Sequence, residues 1–142
     1  PLMGKLARTA KDIPVILCHG KDADSTLIKT WTDLGAHLLP CRVVNNQLDT
    51  EDVLNQLGKH GLTRIFCEGG SALAASLIRN DLVDQLVGFT AGLVIGIEGL
   101  AGIGALGLDK LHMARRFTLG ETRQVGPDVM HVWTRASQMD AV

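Results

Sequence analysis

Between residues 13 and 78, short β-rich apolar runs alternate with apolar stripes at helical spacing, and nothing else in the 142-residue chain narrows its possible folds as far. Residues 13–18 form the first run, read as a buried strand that stops at His19-Gly20. Leu27, Ile28, Trp31 and Leu34 follow at i, i+1, i+4 and i+7, which is one helix face. Asp24 and Ser25 are suitable caps for it, and Gly35 is a suitable stop. Residues 36–44 read as a second strand, at an edge or irregular because of Pro40. A capped acidic turn at Asp49-Thr50-Glu51-Asp52 opens a second helix, with Val53, Leu54 and Leu57 on its apolar face and Lys59, His60 and Gly61 at its end. Residues 63–67 read as a third strand, and Leu73, Ala74, Leu77 and Ile78 as a third helical stripe. Three such alternations imply a parallel sheet with right-handed crossover helices.

The last third has a different period. Residues 82–89 alternate polar and apolar, and so do residues 115–125 and 128–135, which a Gly126-Pro127 turn separates. That pattern predicts an antiparallel hairpin. Residues 92–107, between these segments, are glycine-rich and too irregular for helix or strand. Long irregular loops in compact domains tend to be functional or mobile. The expected architecture is one α/β domain over residues 1–142, its mixed sheet parallel early and antiparallel late.

Composition excludes several classes. The chain is 46 % hydrophobic and 20 % charged, with 14 Lys and Arg against 15 Asp and Glu and a formal charge of −1. That is a globular profile without the basic footprint of a nucleic-acid binder. No apolar stretch reaches the roughly 18 residues needed to span a bilayer, and no signal-peptide pattern opens the chain. Neither nucleic acid nor membrane is therefore expected as a partner. Cys18, Cys41 and Cys67 are odd in number and each lies in an apolar run, which fits reduced thiols in a cytoplasmic protein. Pro1 stands without an initiator Met, in what reads as the middle of a loop.

The candidate site is Arg64 to Ser71, read as a buried strand, a diglycine turn and a helix start. Gly69 and Gly70 permit backbone angles closed to other residues and let a ligand approach the main chain. Ser71 and Ala72 begin a helix whose first amides lack intrahelical partners and attract a phosphate or diphosphate. A plain strand-to-helix connection accounts for two glycines equally well. The spacing is not a G-x-G-x-x-G dinucleotide fingerprint, and the lysine of a P-loop is missing. Glu68 would be repelled by a bound diphosphate, so it either faces substrate hydroxyl or N–H groups or is simply solvated.

Other chemistry is thin. Gly69 to Leu73 nearly matches a G-x-S-x-G nucleophile elbow, with Leu73 in place of the last glycine, so a small serine hydrolase using Ser71 is a weaker alternative. His19, His37, His60, His112 and His131 are scattered without metal-ligand spacing, and Cys18-His19 with Cys41 lacks any C-x-x-C support for zinc. No metal and no protein nucleophile are expected. His131 reads as a hairpin-face residue, Trp31 and Trp133 as core or interface residues, and Arg115-Arg116 as a solvated strand start rather than a phosphate contact.

Taken in order, these residues resemble a known family. Arg64-Ile65-Phe66-Cys67-Glu68-Gly69-Gly70-Ser71-Ala72-Leu73-Ala74, then Leu82-Val83-Asp84-Gln85-Leu86, then Gly104-Ala105-Leu106-Gly107-Leu108-Asp109-Lys110-Leu111, then Val125-Gly126-Pro127-Asp128-Val129 resemble the reductase domain of the riboflavin-biosynthesis deaminase–reductase. The resemblance implies a three-layer α/β/α dihydrofolate-reductase-like fold and an NADPH-dependent reduction of a phosphoribosylamino-pyrimidine, whose ribosyl group becomes a ribityl chain. It implies cofactor contacts from Gly69, Gly70, Ser71, Ala72, Leu73, Ala74, Ala75 and Ser76, with the diphosphate at Gly70 to Ala72, and a substrate contact from Glu68. It further implies a homodimer and, in the longer protein, fusion to a zinc deaminase domain. Gly92-Leu93 stands where the family has Pro-Lys, and Gly96-Ile97-Glu98-Gly99 where it has a diglycine with Asp. The family also carries sequence upstream of the region matched by Pro1, with the first strands, most of the substrate phosphate site and part of the 2′-phosphate site. The chain is therefore expected to be an N-terminally incomplete reductase domain, and a non-catalytic remnant or binding module of the same fold is the alternative.

Overall fold

A computed structural model describes residues 4–136. Their contacts group into two compact units, one up to Ile65 and one from Phe66.

The first unit opens with a short helix, α1 (Lys5–Thr9), a segment for which the sequence pattern predicts no element; the loop expected at Pro1 lies outside the described residues. Ala7 in the helix and Ala10 at its C-cap are buried, and Ala10 joins the core of this unit. Strand β1 (Ile16–His19) pairs in parallel with β2 (His37–Pro40), in register from Ile16 opposite His37 to His19 opposite Pro40. Helix α2 (Ser25–Asp33) crosses between them and contacts β2. Ala10, Val15 and Ala36 form the core here, with Leu17, Trp31 and Leu38 packed on it, so the aromatic face of α2 is a core face as expected.

Two local signals act as read. The Asp24 carboxylate accepts from the Thr26 and Leu27 amides and caps α2, and Gly35 takes φ +94° just past its end. The Asp49 carboxylate accepts from Glu51 and Asp52 and caps α3 (Thr50–Lys59). One was missed. The expected strand over 36–44 breaks after Pro40, and a small hairpin follows in which β3 (Val43–Val44) pairs antiparallel with β4 (Gln47–Leu48). Asn45 and Asn46, at φ 50° and 60°, make its turn, a left-handed pair that asparagine tolerates.

The third strand expected over 63–67 is not formed, since no ladder joins those residues to any described strand. An extended segment becomes a strand only when a neighbour accepts its main-chain groups. The expectation of burial fails with it, because Ile65 is 46 % and Phe66 77 % exposed.

The second unit contains α4 (Ser71–Arg79) and a three-stranded antiparallel sheet. Strand β7 (Asp128–Arg135) lies at its centre, between β5 (Gln85–Thr90) and β6 (Phe117–Val125). The Gly126-Pro127 turn joins β6 to β7, with Gly126 at φ 59°. A bulge between Leu119 and Glu121 shifts the register of β6. Residues 92–107 are irregular apart from one short 3-10 turn at Gly96–Glu98, as expected.

Candidate functional site

The backbone at Glu68-Gly69-Gly70 leads straight into α4, whose first residue is Ser71 and whose N-cap is Gly70. The two glycines do not act through unusual backbone angles, contrary to expectation. Neither is among the residues with positive φ, and Gly70 is ordinarily extended at φ −69°, ψ 173°. What matters is the missing side chain. A Cβ on Gly69 would lie 2.5 Å from Leu73 Cδ2, whereas a Cβ on Gly70 would meet nothing within 4 Å. The space in front of the helix is therefore open at Gly70 and filled by Leu73 at Gly69.

That opening matters because the helix end has no cap. No side chain caps the first turn of α4 and no acidic residue lies in it. The amides of Ser71, Ala72 and Leu73 precede the first intrahelical bond, which Ala74 N–H makes to the Gly70 carbonyl at 3.1 Å. Three convergent N–H groups at the positive end of a helix dipole are suited to anionic oxygens. This donor set fits a cofactor diphosphate.

The rest of the predicted set divides by geometry. Ser71, Ala74 and Ser76 are half-buried, and Ala72 and Leu73 exposed, along the first turns of α4. Ala75 is only 2 % exposed and faces the glycine-rich loop, where Gly104 lies against it. Its side chain is thus committed to packing. Glu68 is exposed in the segment that precedes the turn.

Gly104 belongs to a motif to which the sequence assigns no role. Its N–H donates to the Ser71 carbonyl at 2.9 Å, and a Cβ on it would lie 3.1 Å from that oxygen. The loop is thereby pinned behind the amides that point at the opening. A side chain at 104 would press on that backbone and make the helix or loop give by a few tenths of an ångström, and the cluster of glycines over 92–107 is the signal for such an approach.

A serine nucleophile finds no support. Ser71 is an ordinary first residue of α4 and lacks the strained backbone of a nucleophile elbow. His131 is engaged elsewhere. Trp133 Nε1 donates to its Nδ1 at 2.7 Å, which leaves Nε2 to donate to Thr90 Oγ1 at 3.1 Å. Its ring lies over Gly88, its cross-strand neighbour, where a Cβ would collide with it. His37 and His60, distant in sequence, stand with ring centroids 5.1 Å apart in the first unit. Among the described residues, no group of three or more His, Cys, Asp or Glu gathers as a metal site would require. All three cysteines are free, Cys41 buried and Cys67 exposed. Burial first, and the neighbouring Cys18 thiol second, push the Cys41 thiol up to about 11. No helix among the described residues is long and apolar enough to cross a membrane.

Comparison with known proteins bears on the whole of this arrangement. Residues 4–131 match the family model of the RibD C-terminal domain. The riboflavin biosynthesis protein RibD of Actinobacillus pleuropneumoniae is 29 % identical over 131 residues, covering 92 % of this chain and 35 % of that protein. RibD of Escherichia coli is 38 % identical over 82 residues, covering 58 % and 22 %. The chain thus spans about a third or less of the curated relatives it matches. The solved structure of Acinetobacter baumannii RibD superposes with a TM-score of 0.73 at 18 % identity, over 96 % of this chain and 34 % of that one. A pyrimidine reductase-like protein from Corynebacterium diphtheriae does so with 0.65 at 14 %, over 87 % and 50 %. The fold shared with these structures is the α/β, dihydrofolate-reductase-like one expected from the sequence. The described strands nevertheless form separate parallel and antiparallel sheets rather than the single mixed sheet expected, because no ladder at residues 63–67 joins them.

Proposed function

Since the chain belongs to the RibD C-terminal domain family, we propose that it is the cofactor-binding part of an NADPH-dependent reductase of riboflavin biosynthesis. Its substrate is a 5-amino-6-(5-phosphoribosylamino)uracil, whose ribosyl group is reduced to the ribityl form. The observation that carries this reading is the open, uncapped N-terminus of α4 behind Gly70.

The amides of Ser71, Ala72 and Leu73 hold the diphosphate, with Gly70 providing the access. Gly104 keeps the turn in place by bonding the Ser71 carbonyl from behind. Glu68, one residue before the glycines, accepts hydrogen bonds from the sugar, because its charge keeps it away from the phosphates. The nicotinamide, when bound, supplies a hydride to the electrophilic sugar carbon. The chain itself orients cofactor and substrate, and no side-chain nucleophile is required. The resemblance carries with it a homodimer and a neighbouring zinc deaminase domain in the longer protein.

Thermal unfolding with NADPH and NADH in separate titrations tests the reading. At a concentration about 100 times Kd, NADPH is expected to stabilise the chain by roughly 2.7 kcal/mol, and NADH less. Gly70→Val should fold normally, because its Cβ meets nothing, yet lose the shift. A shift retained in that variant would overturn the site, and none with either cofactor in the parent chain would favour a non-binding remnant.

A further inference from the structure

Past the C-terminal end of α4 the second unit contains a half-open cavity of about 390 Å³, with Ile78 buried at its base and Leu108 and Met113 exposed at its sides. Ile78, Leu106, Leu108 and Met113 contribute apolar walls, and the lining also includes Arg79 and Arg115. Gly107, at φ +67°, turns the chain between the two leucines, and a Cβ there would meet nothing within 4 Å.

The two arginines have different histories. Arg79 ends α4, where the helix dipole favours a cation, and among the described residues it makes no ion pair. Arg115 reaches Asp81 only at 3.9 Å, from Nε. Asp81 is shared, because Arg135 lies 3.7 Å from its carboxylate and donates to its carbonyl at 2.7 Å. Arg135 is in turn paired with Asp84. The acidic groups nearby are thus engaged chiefly by Arg135, and the forks of Arg79 and Arg115 keep most of their donors.

We propose that this cavity binds a small organic anion, an oxyanion head such as a carboxylate or phosphate monoester on a compact apolar body. The head meets Arg79 and Arg115, whose planar forks match oxyanions. The body lies against Ile78, Leu106, Leu108 and Met113. The site is separate from the helix start at Gly70, since α4 runs its whole length from Ser71 to Arg79 between them. The proposal does not depend on the NADPH reading.

Phenyl phosphate is a suitable probe, titrated into the ¹⁵N-labelled chain and followed by amide shifts, with phenol and inorganic phosphate as the two half-ligands. Saturable shifts are expected at Leu106, Gly107, Leu108 and Met113, with each half-ligand binding about tenfold or more weakly. Arg79→Gln, a change on the helix surface, should weaken phenyl phosphate severalfold, and Arg79→Gln with Arg115→Gln by about tenfold. The dispersed amide spectrum of each variant reports that it is folded. Equal binding of phenol, equal binding of inorganic phosphate, unchanged affinity in the folded double variant, or shifts confined to Ser71, Ala72 and Leu73 would each overturn the proposal.

Discussion

Helices α3 and α4 begin in opposite ways. Asp49 closes the first turn of α3, and Glu51 and Asp52 add negative charge to it. Gly70 leaves the first turn of α4 open and uncharged. Their flanks reverse the contrast. Thr50 is the only buried residue of α3, whereas α4 buries Ala75 and Ile78. A helix held by its flank leaves its end free for a ligand, while one held by its end does not. Helix α2 shares the aspartate cap of α3, at Asp24, but also packs the half-buried Trp31 on the core of the first unit.

The largest effect expected from this difference is at Ile78, which is 5 % exposed. Ile78→Ala should lower stability by about 2–4 kcal/mol in denaturant titrations. A loss below about 1 kcal/mol would mean that the flank does not hold α4. Exchanging the ends comes next. Asp24→Ala should cost about 1 kcal/mol through the lost cap. Gly70→Asp should leave stability equal or slightly higher while repelling any bound phosphate. Stability and cofactor affinity therefore move in opposite directions in that variant, and a parallel loss of both would break the comparison.

Acid should separate the two ends as well. The Asp52 amide, and then Arg42, hold the Asp49 carboxyl below its ordinary range, and the Arg42 amide, at 2.6 Å from its carboxylate, does the same for Asp52. A carboxyl depressed in the folded state stabilises above its unfolded value and loses that contribution as pH falls through the folded one. Amide protection at residues 42–52, taken relative to the intrinsic exchange rate, should therefore fall below about pH 4, while the first turn of α4, without a carboxylate, shows no such step. The smallest effect concerns thiols. Exposed Cys67, just ahead of the open turn, should react with a maleimide first, and Cys41, buried and raised to about 11, last. Bound NADPH should slow Cys67 if the cofactor covers that turn.

Legibility follows the range of the interactions. The caps at Asp24 and Asp49, the stops at Gly35 and Gly61 and the Gly126-Pro127 hairpin were readable, because each depends on residues a few positions apart. The same logic makes Asn45-Asn46 readable in principle, since two consecutive asparagines between short apolar pairs are a turn signal. The segment at 63–67 has the composition of a strand, but whether it becomes one depends on a distant partner that local sequence does not show.

By itself, then, the sequence determined helices α2, α3 and α4, the Gly126-Pro127 hairpin, the order of motifs that marks the family and the location of the glycine turn, all carried by local backbone preferences and capping. Only the tertiary structure decided how that turn works. Gly70 matters for the space it leaves, Gly69 for the place taken by Leu73, and Gly104 for the bond it makes to Ser71 from a residue far along the chain. It also decided that Arg79 and Arg115 share one cavity. Close approach between remote residues is set by packing, and no spacing within the sequence encodes it.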